Sequence, residues 1–165
     1  MTAVLHPARR GRDLVDSDLF ARLVGEVTAK HPQLTDLAAQ IVDQALVFVA
    51  TAAEASNGGL RPSTLVDHGW HTLLDHHVAY EALCARHGRY VHHVPDDGPD
   101  RAAVSGPSGE VARTIEAIER ARYVVDLDLW PLVARCTSCH EEGGCRSGGQ
   151  DGNENTDTRK KDPRG

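Results

Sequence analysis

The stretch "DLAAQIVDQALVFVATAAEA", residues 36–55, constrains this chain more than any other. Leu37, Ile41, Val42, Ala45, Leu46 and Val49 recur at helical spacing and form a broad apolar stripe. From Ala45 to Ala53 no charged residue interrupts it. A helix apolar over so much of its circumference must be covered by other elements. The reading is a helix that opens at Thr35, ends at "SNGG" and forms the core of the domain. Gly58 or Gly59 there supplies the left-handed residue that helix ends often use. The apolar run at 45–53 is far too short to span a bilayer, so no membrane partner is expected.

Other segments can cover such a helix. Leu19, Phe20, Leu23, Val24 and Val27 make one face of a helix capped at Ser17 and running to about Lys30, where "HPQ" breaks it. A third helix is capped by Ser63 or Thr64 and stops at Gly88, with Val66, Trp70, Leu73, Leu74, His77, Tyr80 and Cys84 on one broad face. "RYVHHVPDD" lacks helical periodicity and reads as an extended segment ending at Pro95. After a glycine- and proline-rich loop, "EVARTIEAIERAR" is a fourth helix with Val111, Ile115 and Ile118 on one side. "YVVDLDLWPLVA" closes the domain. The expected fold is all-α: one helical domain of about four main helices over 13–134, with a short extended segment. Residues 1–12 read as a flexible start, and 135–165 as a polar, disordered tail containing cysteines and glycines. From Arg146 onward that tail has no aliphatic or aromatic residue to offset its ordering entropy.

Composition narrows the function. A formal net charge of −6 argues against a general nucleic-acid binder. Aromatic content of 4% is too thin for a base-stacking platform. "MTAVLHPARRGRD" has no apolar stretch of signal-peptide length, so a cytoplasmic location is expected. In that compartment the four cysteines would be thiols or metal ligands.

The densest histidine segment, "VDHGWHTLLDHH", holds the candidate site. Asp67 and His71 are four apart and therefore neighbours on a helix surface. The carboxylate can take the Nδ1 proton of the imidazole and present Nε2 outward, as carboxylates behind metal-bound histidines do. Trp70 would anchor the apolar edge. His92 and His93 return after Gly88, and adjacent residues of an extended segment face opposite ways, so one at most faces His71. A packing role competes with this: Thr64 to Asp67 is close to a capping box, and His71 can sit at the core edge bonded to Asp67. His76 reads as solvated, His77 as a core histidine, His68 and His87 as surface residues, and Cys84 as a small core residue.

A second candidate is "CTSCHEEGGC", with Cys136, Cys139, His140 and Cys145. Haem attachment at C-x-x-C-H requires export, so no haem is expected. A redox pair normally opens a helix, and here glycines follow. Zinc, held by Cys136, Cys139 and Cys145, competes with unbound tail thiols.

The ordered residues in "LVDHGWHTLLDHHVAYEALCARHGRYVHHVP" resemble the "VD…WH…Y…C…G…HH.P" signature of the glycine-rich domain-containing protein-like family. The likeness covers roughly residues 60–97, and more loosely Trp130-Pro131 to Cys136. The chain lacks that family's extended glycine-rich repeats; its "GG" pairs at 143–144 and 148–149 are short. The resemblance implies the helical domain and its site but no settled activity. The expectation is a non-enzymatic, metal-binding intracellular protein. One alternative is a small metal-dependent or histidine-based accessory enzyme using Asp67 and His71 with His92 or His93. Another is an adaptor for a protein partner.

Overall fold

The protein is described by a computed structural model over residues 8–56, 58–95, 106–130 and 145–147. Five α-helices dominate: α1 (Ser17–Lys30), α2 (Ala38–Glu54), α3 (Thr64–Leu74), α4 (His77–His87) and α5 (Gly106–Arg120). Two three-residue strands, β1 (His93–Pro95) and β2 (Cys145–Ser147), pair antiparallel. The fold is all-α in class, as the periodicities predict.

The α2 helix is the centre of the core. Every residue from Ile41 to Ala53 is buried, with α1, α3, α4 and α5 packed around it. By length and apolarity Pro32–Glu54 passes for a membrane span, yet 78% of its apolar window is covered by the rest of the protein. A 3-10 turn at Pro32–Leu37, with proline at its first turn, leads into α2, so the regular helix begins three residues after the expected Thr35.

The α3 helix lies unusually close to α2. A Cβ on Gly69 would stand 2.8 Å from the Ala45 Cβ and 2.9 Å from the Ile41 carbonyl oxygen, so only glycine fits there. This contact seats Trp70, fully buried, against Phe48 at 5.0 Å between rings. Ser63 caps α3 by accepting from the Val66 amide, and its hydroxyl also donates to the Leu129 carbonyl.

The expected single helix over 63–88 is two helices. The chain breaks at Asp75 and His76, where no proline or glycine marks a stop. Instead, side chains of α1 hold both residues: Lys30 Nζ lies 2.6 Å from Asp75, and both Glu26 oxygens lie 3.0 Å from His76 Nε2. The break resets the helical phase. His77 is consequently exposed rather than in the core, and His76 is ion-paired rather than simply solvated. His68 corrects another expectation: it is buried, its ring 4.0 Å from that of His31 and tilted 40° to it, just past the end of α1. His87 is half-buried and bonded to Glu54 at 2.8 Å.

The N-terminal side is also better anchored than expected. A 3-10 turn at Gly11–Leu14 packs on α2, with Gly11 directly against the Asp43 carbonyl, where a Cβ would collide. Arg12 donates its amide and its Nε to Asp43 at 2.9 and 3.2 Å. Arg9 bridges to Tyr123. Asp16, one residue before the expected Ser17, caps α1. The fourth expected helix, α5, begins at Gly106, ahead of Glu110. Of the tail, residues 135–144 and 148–165 lie outside the described residues, as do 1–7 of the N-terminal segment.

Candidate metal centre

Two elements bring the site together. Asp67 and His71 stand one turn apart on α3, and His93 opens β1. Two devices return β1 to α3. The first is Gly88, with φ of +139°, where a Cβ would also lie 2.8 Å from the Ala53 carbonyl oxygen. Both the conformation and the space demand glycine. The second is Tyr80. Its hydroxyl accepts from Trp70 Nε1 at 3.0 Å and donates to the Val91 carbonyl at 2.6 Å. In a continuous helix residues 70 and 80 would be about 15 Å apart along the axis. The break at 75–76 is what lets that bond form. Tyr80 therefore fixes the strand two residues ahead of His93. Burial raises its hydroxyl far above the ordinary tyrosine range, so it remains a proton donor to Val91.

His93 lies between two rings, 4.8 Å from Trp70 and 4.6 Å from His71. Its Nε2 is 2.6 Å from His71 Nε2. At that separation one imidazole donates and the other accepts, since two protonated rings would set cation against cation. Asp67 Oδ2 is 3.7 Å from the same His71 nitrogen. The carboxylate side chain is 3% exposed and His71 22%. The ligand atoms of all three residues lie within 4.8 Å of one another. Two imidazoles and a carboxylate converging in this way could hold a metal ion.

The structure thus joins Asp67, His71 and His93, and it corrects two details. Asp67 does not stand behind His71 on Nδ1; Nε2 is the nitrogen facing it, because α3 aims the ring across toward β1. The carboxylate consequently reaches the same point as the imidazoles, as a direct donor. His92 is on the other side of the strand, with its ring 4.8 Å from Tyr90, and takes no part in the cluster. Asp67 is also not the helix cap, a role that Ser63 fills.

Cys84 is buried, and burial raises its thiol above the ordinary range, which fits a core residue rather than a nucleophile or ligand. Cys136, Cys139 and His140 lie outside the described residues. Cys145 begins β2, opposite Pro95. Sequence reasoning missed the Trp70–Tyr80–Val91 relay. Its signal was present in two large polar aromatics on the buried side of one segment, each needing a hydrogen-bond partner. Compared with protein-family models, curated proteins and solved structures, the chain matches none.

Proposed function

We propose that this is an intracellular metal-binding protein whose resident ion is zinc, held by Asp67, His71 and His93. One observation carries the reading: three metal-ligating side chains from α3 and β1 present their donor atoms within 4.8 Å of one another. Two zinc-bound nitrogens at bonds of roughly 2.0–2.1 Å and a tetrahedral angle stand about 3.3 Å apart. The 2.6 Å between His71 and His93 must therefore widen by about 0.7 Å as the ion replaces the shared proton. Imidazole donors suit zinc over magnesium or calcium. Asp67, His71 and His93 also belong to the ordered residues that resemble the glycine-rich domain-containing protein-like family.

The short nitrogen–nitrogen contact supports one second reading, a small enzyme in which His71 and His93 share a proton and Asp67 balances the charge. Elemental analysis separates the two. Full-length protein equilibrated with zinc and desalted should carry one more zinc per chain than the His71→Ala/His93→Ala variant. Equal zinc in the two proteins, both folded by circular dichroism, would leave only the proton-sharing reading.

A further inference from the structure

A cleft that shares no residue with the metal centre lies over the first half of α2. It is made by two segments that start together and then part. Arg9 and Tyr123 form a parallel bridge, and the Val124 amide donates to the Arg9 carbonyl at 2.9 Å. Beyond that point the first segment turns through Gly11–Leu14 and is tied to Asp43, while the second is tied to the neighbouring Gln44. The two segments and α2 together line a space of about 380 Å³, within the roughly 300–1,000 Å³ usual for small-molecule sites. Because Asp43 and Gln44 already hold the backbone on both sides, a ligand has only side chains to order.

The charges of the cleft are sorted by segment. The first supplies Arg10 and Arg12, the second Asp126 and Asp128, and among the described residues no ion pair joins the two sets. Arg12 gives its Nε to Asp43 at 3.2 Å, which leaves its two terminal nitrogens for an anion. Asp126 bonds to Gln44 through its amide, so its carboxylate stays available. Asp43, also lining the cleft, is 4% exposed. Its Oδ1 takes both Arg12 bonds, whereas its Oδ2 has only a 3.5 Å contact with Gln44 Nε2. A buried carboxylate oxygen with one long contact still has room for a donor. Leu127, 66% exposed, adds apolar surface. A simple anion entering this space would meet three carboxylates, and a simple cation would meet two guanidiniums. A ligand of both charges satisfies both sets. We propose that the cleft binds a small zwitterion with a carboxylate and an ammonium on a short aliphatic body, the chemistry of a free amino acid or a dipeptide. Its carboxylate faces Arg10 and Arg12, and its ammonium faces Asp43, Asp126 and Asp128.

The test is isothermal titration of the full-length protein with L-leucine and with leucyl-leucine, which separates the two sizes of ligand. At least one should bind saturably, and the tighter of the two identifies the source. Two analogues of leucine carry one charge each: 4-methylpentanoate lacks the ammonium, and isopentylamine lacks the carboxylate. Each should bind more weakly than the zwitterion by on the order of tenfold or more, the worth of a lost charged hydrogen bond. Arg10→Ala and Asp126→Asn should each weaken binding by a similar factor. Neither side chain holds another described residue, so circular dichroism and zinc uptake should stay as in wild type. Failure of both zwitterions to bind saturably overturns the proposal. Binding matched by either singly charged analogue, or undiminished in both variants, overturns it as well.

Discussion

Two polar clusters in this small domain are built differently. The first surrounds Asp43 and Gln44 on α2. Gln44 donates to the Val124 carbonyl at 3.0 Å and accepts from Trp130 Nε1 at 2.8 Å and from the Asp126 amide at 3.2 Å. Asp43 takes the Arg12 amide and guanidinium. Together these bonds tie two stretches of chain, the turn at Arg12 and the closing segment from Val124 to Trp130, to the central helix, and three of them end on part-buried backbone groups. The second cluster joins Asp67 with His71 and His93. Its side chains aim their donor atoms at one another. A polar cluster that serves folding spreads its bonds outward to different partners, whereas one that serves a ligand converges. By that criterion the first is a structural hub and the second is a group that could hold a metal ion.

Substitutions can break or sharpen this contrast. The largest effect is expected at Trp70, which underlies the site and belongs to the core. Trp70→Ala should destabilise the protein by about 3–5 kcal/mol in denaturant unfolding and should weaken zinc binding as His93 loses its support. Gln44→Ala comes next. It leaves the Trp130 indole, the Asp126 amide and the Val124 carbonyl without their partner, at about 2–3 kcal/mol. Zinc uptake should be unchanged, and a loss of uptake would show that the two clusters are not independent. His71→Ala should invert that pattern. Metal-free stability should fall by about 1 kcal/mol or less, because the ring is partly exposed. The stabilisation that zinc confers, about 2.7 kcal/mol at a hundredfold excess over Kd, should vanish.

The smallest effect concerns alkaline pH. Burial raises the hydroxyls of Tyr80, Tyr90 and Tyr123, all three tyrosines of the chain. Each group keeps its proton longer when folded than when unfolded. Their contribution is fully present below the unfolded value of about 10 and is lost as pH rises past it toward the folded values. Ultraviolet titration of the folded protein should thus show tyrosinate appearing later than in urea-unfolded chain, with unfolding stability declining above about pH 10. Coincident titration curves would place the hydroxyls in water.

Much of this was legible in the sequence because it rests on periodicity and on fixed local distances. The apolar stripe of residues 36–55 dictated a central helix, the i to i+4 spacing placed Asp67 beside His71, and alternation in an extended segment allowed only one of His92 and His93 to join them. What escaped depends on contacts between distant residues. At the break Asp75 and His76 meet Lys30 and Glu26 on α1, about 45–50 positions earlier, and no local pattern announces it. With that break unseen, His77 was placed on the wrong face and the hydroxyl of Tyr80 had no route to Trp70 and Val91. His68 was assigned to the surface because its partner, His31, lies on another helix. Which nitrogen of His71 faces Asp67 is likewise set by the position of β1, a tertiary fact.

The central claim is that Asp67, His71 and His93 jointly ligate one ion. A crystal structure of the zinc-equilibrated, full-length protein, with anomalous data on both sides of the zinc absorption edge, tests it most directly. The account predicts a single strong zinc peak bonded to Asp67 Oδ2, His71 Nε2 and His93 Nε2, with the two nitrogens parted to about 3.3 Å. A zinc-free cluster with those nitrogens still 2.6 Å apart, in crystals that hold zinc elsewhere or nowhere, would contradict it.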